Sequence, residues 1–224
     1  MGATFAIRSR DLYAGFLHAC AGSSVITPLV LARPLIELTI LIRWIRDDVD
    51  GRVELWQAHS AEMDAKAIRQ TAEHLPRPAG DPYNIDELAQ VLASKDAAAA
   101  AGRAAARRST ADRVLPGLVE MVQSIEKLSK DEGHALWQAY DLAFRFVSPA
   151  AHSDDASFKL NFDRTADGTM EYAERSIIEP DHLRLIVAGC MAHTIETAAR
   201  MCRLDDMAET ALSIRIMLVR STDA

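Results

Sequence analysis

The segment from Pro28 to Ile45 constrains the fold more than any other part of the chain. It reads PLVLARPLIELTILIRWI and carries apolar residues around nearly the whole circumference of a helix. Such a helix must be covered on all sides, so we expect it to run through the centre of a helical bundle. Arg33, Glu37 and Arg43 interrupt the segment, and charges of this kind are costly in lipid, which argues against a membrane span.

Helical periodicity recurs along most of the remaining sequence, so the predicted class is all-α. The length of 224 residues favours one helical domain over residues 1–224. One exception is a segment near 156–175, where alternating apolar residues flank a turn sequence and predict a small β-hairpin or extended insertion. The main helix predictions are 10–22 with Ser9 as its cap, 52–74 after a break at Gly51, 85–108, 117–130, 131–147, 180–201 and 207–219.

Charge and cysteine content limit the classes of partner and compartment. The net charge of −7 provides no overall basic field, so RNA binding would need a local patch. Cys20, Cys190 and Cys202 are an odd number without CxxC spacing, which predicts buried thiols in a reducing cytoplasm. The first residues, MGATFAIRSRD, do not resemble an export signal, and we expect a cytoplasmic protein.

An alanine-rich tract ends in the densest basic cluster of the chain. Residues 97–106 favour a helix that either packs closely on a neighbour or protrudes, within 97–113, as a half-solvated arm. The arginines that follow either complement the helix dipole or contact phosphate groups. They are Arg103, Arg107, Arg108 and Arg113.

The stretch from Asp131 to Asp155 is the sequence feature most suggestive of chemistry. Apolar residues at helical spacing predict a helix that Pro149 terminates, because proline lacks an N–H and disfavours helical geometry before it. His152 is therefore expected on a turn, close after Arg145 at the end of the helix. A second polar pair, Arg33 and Glu37, is spaced to form an ion pair that either stabilises the fold or orients a catalytic group.

A helix carrying RPLIE, followed later by Y-x4-R-x2-S-x3-H across a helix end, resembles an uncharacterised bacterial domain-of-unknown-function family with a HEPN-like helical core. HEPN stands for higher-eukaryote and prokaryote nucleotide binding. Many members of that superfamily are metal-independent ribonucleases of toxin–antitoxin and phage-defence systems, and they commonly dimerise.

The resemblance implies a homodimeric, cofactor-free endoribonuclease with RNA as its substrate and an antitoxin or defence protein as a partner. Arg145 and His152 match the R-x(4 to 6)-H spacing and would be the catalytic residues. Ser148, Tyr140, Arg33 and Glu37 would support them.

Two other classes remain open on the sequence. His59 with Glu62 and His193 with Glu196 have i, i+3 spacing, so they would converge on a metal ion if their helices faced each other. We expect no metal ion or cofactor to be bound. The remaining alternative is a catalytically inactive regulatory or partner-binding bundle, in which Arg145 and His152 only hold the turn in place.

Overall fold

The computed structural model describes residues 2–22, 26–74, 85–109, 114–142, 162–172 and 180–222. Within these ranges the chain forms eight helices and one hairpin, which confirms the predicted all-α class. In chain order they are α1 (Gly2–Cys20), α2 (Ile26–Arg46), α3 (Val49–His74), α4 (Ile85–Ser109), α5 (Leu118–Leu128), α6 (Lys130–Leu142), β1 (Phe162–Arg164), β2 (Met170–Tyr172), α7 (Pro180–Met201) and α8 (Asp205–Thr222).

Contacts divide the chain into two compact units, which are described separately. The first comprises Met1–Arg46 and Leu118–Ala224, and the second Asp47–Gly117. The single domain over residues 1–224 stays a prediction.

Helix α2 is the centre of the first unit, as its composition predicts. It packs against α1, α5, α6 and α7. Leu35, Ile40 and Ile42 are fully buried, and burial of each such side chain contributes about 1.5–3 kcal/mol. In the described part of the chain no helix has the length and apolarity needed to cross a membrane, which agrees with the argument from the charges of α2 against a membrane span.

Two predicted helix starts are wrong, and polar side chains explain both. α1 begins at Gly2, and the predicted cap Ser9 lies inside it, buried, where its hydroxyl donates a hydrogen bond to the Ala6 carbonyl (2.9 Å). α3 begins before the predicted break at Gly51. The N–H of Gly51 donates to the Asp48 carboxylate (3.4 Å), so Asp48 caps the helix ahead of the glycine.

The cysteines match the prediction only in part. All three are free thiols, but only Cys190 is buried, whereas Cys20 is half-buried and Cys202 is exposed. Burial raises the pKa of the Cys190 thiol to about 12, so this group stays protonated and packs as a small apolar residue.

The second unit is built around the pair α3 and α4, whose contact consists of small residues. A Cβ added at Gly102 would lie 3.0 Å from the Ala58 Cβ, so the two backbones approach closely there. Ion pairs border the contact, with Arg69 and Lys95 bound to Asp96 and Asp64. The alanine tract is therefore a close-packed helix contact, and a protruding arm over 97–113 stays a prediction. The buried small residues are Ala58, Ala61, Ala65, Ala99, Gly102 and Ala106.

The hairpin predicted near 156–175 is confirmed over 162–172. β1 and β2 pair antiparallel, with Phe162 opposite Tyr172 and Arg164 opposite Met170. Gly168 occupies the left-handed region (φ 86°) in the turn, a conformation that favours glycine. The rest of the predicted segment, 156–161 and 173–175, lies outside the described residues.

Candidate functional site

Both predicted catalytic residues, Arg145 and His152, lie outside the part of the chain that the structure describes, as do Ser148 and Arg113. Arg145, Ser148 and His152 fall within 143–161, and Arg113 falls within 110–113. The structure therefore describes α6 as far as Leu142, three residues before Arg145 in the sequence.

Tyr140 is the last predicted site residue within α6, and aromatic contacts hold it. Its ring packs edge-to-face on Trp137, with centroids 5.7 Å apart and planes at 88°. The indole Nε1 of Trp137 donates to Glu126 Oε2 of α5 (3.1 Å). Tyr140 thus belongs to a contact that joins α6 to α5.

Arg33 and Glu37 form the ion pair that their spacing predicts, on α2. The Nε of Arg33 donates to Glu37 Oε1 at 2.8 Å, and both side chains are partly exposed. An i, i+4 pair of this exposure contributes little to stability, about 0.3–0.5 kcal/mol. Its predicted role in orienting a catalytic group stays a prediction.

The basic cluster is only partly described. Arg103 forms an ion pair with Glu62 of α3, so its charge is already compensated within the second unit. Arg107 and Arg108 lie near the end of α4, and their role on the helix dipole or on phosphate groups stays a prediction.

The strongest polar assembly in the described residues surrounds Glu132, in the first turn of α6. Arg43 of α2 donates to Glu132 Oε2 through Nε (2.9 Å) and Nη2 (2.6 Å). Arg46 Nη2 lies 3.5 Å from the same oxygen, and His193 Nε2 of α7 lies 3.9 Å from Oε1. The carboxylate of Glu132 therefore joins α6 to α2 and lies close to α7, and we call Arg43, Arg46, Glu132 and His193 the Glu132 cluster.

Helical periodicity explains why this cluster lies in the interior. Arg43 follows Ile36 and Ile40 at intervals of seven and three residues, so it projects from the buried face of α2, and its side chain is only 2% exposed. A cation in that position requires a carboxylate partner, because an unpaired buried charge is strongly unfavourable. Glu132 supplies it.

The electrostatics of the cluster favour an ionised Glu132 and a neutral His193. Burial would raise the pKa of the Glu132 carboxyl, but the hydrogen bonds and charge of Arg43, with Arg46, outweigh it and hold that pKa below its ordinary value. Burial, reinforced by the Arg215 charge, lowers the pKa of His193 to about 3, although Glu132 opposes the shift. His193 is therefore an uncharged imidazole at neutral pH.

A second group of polar side chains continues along the same face of α7. Glu196 Oε1 accepts from Arg200 Nε (3.2 Å), and its Oε2 lies 3.2 Å from Arg215 Nη2 of α8 without the alignment of a hydrogen bond. Among the described residues, His193 Nε2, Glu196 Oε2 and Thr197 Oγ1 are buried without a hydrogen-bond partner. His193 combines a buried, unpaired nitrogen with a lowered pKa, and such groups occur more often at functional sites than in simple cores.

The metal-binding alternative receives no support from these contacts. Glu62 is paired with Arg103, and Glu196 with Arg200 and Arg215. In the ranges that the structure describes, no three His, Cys, Asp or Glu residues are grouped to hold a metal ion.

Sequence reasoning did not identify the Glu132 cluster, although signals for it exist. The charge of Arg43 argues against a membrane span, but its position on the apolar face of a helix also indicates a buried partner. The sequence offers His193 as a metal ligand only. Glu132 lies 89 residues from Arg43, and no local spacing identifies that pairing.

The comparisons place the chain in a family but not in a functional class. The model of DUF5677, a family of unknown function, matches residues 2–170. No curated protein matches the chain. No solved structure matches it either. Because the family match covers most of the sequence, as the predicted resemblance to an uncharacterised family anticipated, the chain belongs to the DUF5677 family of unknown function.

Proposed function

We propose that this protein is a HEPN-like, metal-independent endoribonuclease that acts through Arg145 and His152. The observation that carries the proposal is the order of these residues directly after α6, a helix held by buried contacts up to its last described residue, Leu142. The family match over residues 2–170 includes both Arg145 and His152.

The chemistry requires the residue types that the motif offers. Cleavage through the 2′-hydroxyl needs a base for that proton, an acid for the leaving oxygen and a cation on the phosphate. An imidazole ordinarily changes its charge near neutral pH, so a histidine at position 152 would serve the proton steps. Arg145 would donate two parallel hydrogen bonds to phosphate oxygens, which lysine does not do with the same geometry.

The surrounding residues have supporting roles in this proposal. Ser148 would hydrogen-bond the phosphate, while Tyr140 and the Arg33–Glu37 pair would orient the catalytic groups. Arg107, Arg108 and Arg113 would contact phosphate groups, and Arg103 would do so only after leaving its ion pair with Glu62. A homodimer would supply a second copy of each catalytic residue.

The proposed setting follows from the HEPN-like resemblance. The protein would act in the cytoplasm, in a toxin–antitoxin or phage-defence system, and an antitoxin or defence protein would control it. An uncontrolled ribonuclease damages its own cell, which is the physical reason for such a partner.

The direct experiment is RNA cleavage by the purified protein in EDTA, with Arg145→Ala and His152→Ala as test variants. We expect each variant to cleave at least about 100-fold more slowly than wild type, the usual contribution of one acid–base group such as His152 or of one group that stabilises charge such as Arg145. The chain offers residue-matched controls in Arg184→Ala and His134→Ala, whose side chains are exposed. The controls should retain wild-type rates.

Three results would contradict the proposal. One is cleavage that disappears in EDTA, which would indicate a metal-dependent activity. Another is equal activity of wild type and His152→Ala, both verified as folded by circular dichroism. The third is an absence of cleavage of any RNA by the wild type.

A second candidate, a catalytically inactive partner-binding domain, is supported by α8. Met207, Ile214 and Ile216 are each more than 40% exposed on this helix, and exposed apolar residues favour protein contacts. Under this candidate the wild type does not cleave RNA, and Ile214→Asp reduces binding to the partner while Arg145→Ala does not.

A further inference from the structure

The inner face of helix α8, which packs on α7, carries mostly small or charged side chains at its centre. Among the described side chains of α8, the buried ones are Ala208 and Ala211, and Arg215 forms an ion pair with a glutamate of α7. Leu212 and Leu218 are only half-buried. A helix on the surface of a bundle ordinarily buries its largest apolar residues, so the polarity of α8 is unusual.

The large apolar side chains of α8 lie instead on one exposed side of the helix. Met207, Ile214 and Met217 are 52%, 44% and 59% exposed. Together with Thr210 they alternate at intervals of three and four residues, the spacing by which one helix packs along another. We call these four residues the α8 stripe, which extends over ten residues, about 15 Å at the helical rise.

The charges beside the α8 stripe differ between its two ends. Asp206, Ser213 and Arg220 follow one another at intervals of seven residues, so helical register places them along one edge of the stripe. The first is an anion, the second is neutral and the third is a cation. An antiparallel second copy of α8 would therefore bring Asp206 of each chain beside Arg220 of the other, whereas a parallel copy would place like charges together.

The apolar positions satisfy the same antiparallel arrangement. With the two helices related by a two-fold axis near Ser213, Met207 lies opposite Met217 of the second copy, and Thr210 lies opposite Ile214. A single surface that complements itself in this way is what a two-fold dimer requires. Antiparallel helices also place the positive end of each helix dipole beside the negative end of the other. The pattern of the stripe thus favours a second copy of this chain over a different protein.

We propose that two copies of this chain associate through the α8 stripe, with their α8 helices antiparallel. The inference deepens the homodimer that is part of the proposed function and rests on that part alone. Association is measured without RNA, so a failure of this inference can be told apart from an absence of cleavage.

The first test is sedimentation equilibrium of the full chain, comparing wild type with Ile214→Asp and Ile7→Asp. Ile7 is a matched control, because it is an isoleucine that is 53% exposed on α1. Ile214→Asp places a carboxylate in the apolar contact from both copies, and we expect the dimer Kd to increase at least about 100-fold. Ile7→Asp should leave the Kd within about twofold of wild type.

The second test exchanges the charges at the edge of the stripe. Asp206→Arg and Arg220→Asp each convert two attractive contacts of the dimer into repulsive ones, so each variant alone should dimerise about tenfold more weakly. In an equimolar mixture of the two variants, every arginine of one chain meets an aspartate of the other. The mixture should therefore form heterodimers with an affinity close to that of wild type.

Circular dichroism verifies that each variant is folded, and the charge exchange decides the question if Ile214→Asp is not. Wild type that stays monomeric at about 100 μM, whatever other protein it captures, overturns the proposal. A wild-type Kd in folded Ile214→Asp also overturns it. A mixture of the charge variants that associates no better than either alone refutes the antiparallel arrangement.

Discussion

Removal of Glu132 alone should destabilise this protein far more than removal of Glu132 and Arg43 together. Glu132→Leu leaves the Arg43 guanidinium, 2% exposed, without this carboxylate, which predicts a loss of about 3–5 kcal/mol in the free energy of unfolding. Arg43→Met leaves Glu132 with Arg46 and partial access to water, so its expected cost is smaller, about 1–3 kcal/mol. The double variant should lie within about 1 kcal/mol of wild type.

The assay is urea unfolding followed by circular dichroism at 222 nm for the four proteins of this double-mutant cycle. The predicted coupling is about 3 kcal/mol or more. For a chain of this size, the loss in Glu132→Leu corresponds to a decrease of roughly 10 °C in Tm. Glu209→Leu, at an exposed ion pair with Arg200, is the control and should cost less than about 1 kcal/mol. If the double variant loses the sum of the two single losses, the reasoning is refuted.

Two further predictions concern stability. The pKa of His193, about 3 when folded, is below the value of about 6.5 expected when unfolded, so its stabilising contribution is fully present above about pH 6.5 and is lost as pH falls toward 3. Between pH 7 and pH 5 the free energy of unfolding should fall by about 2 kcal/mol because of this group. That fall should vanish in His193→Gln and persist in the exposed control His134→Gln. An unchanged pH dependence in His193→Gln would falsify the prediction. Separately, Gly133→Ala should destabilise by at least about 1 kcal/mol despite the better helix propensity of alanine, because its Cβ would lie 2.5 Å from Glu126 Cα. Gly189→Ala, with nothing within 4 Å of its Cβ, should instead stabilise the fold by about 0.5–1 kcal/mol. In urea unfolding, a higher free energy of unfolding for Gly133→Ala than for Gly189→Ala would contradict the packing argument.

The sequence predicted the architecture well where periodicity is strong. The apolar circumference of 28–45 identified the central helix α2, and alternation around a turn identified the hairpin at 162–172. Helix starts were less predictable, because they depend on single polar side chains. Asp48 caps α3 before Gly51, and the Ser9 hydroxyl bonds back inside α1 instead of capping it.

The candidate site shows which side-chain contacts can be predicted from the sequence and which cannot. The i, i+4 pairing of Arg33 with Glu37 was predictable because helical geometry alone brings the two side chains together. The pairing of Arg43 with Glu132 was not, because it depends on how α2 and α6 pack. Local sequence identifies a buried cation, but only the tertiary structure identifies its partner.

The most direct test of the nuclease proposal is a paired cleavage measurement on one RNA and its 2′-deoxy counterpart in EDTA. The account predicts that wild type cleaves the RNA and leaves the 2′-deoxy strand intact, and that folded His152→Ala cleaves neither. Cleavage of the 2′-deoxy strand, or an active His152→Ala, would contradict it.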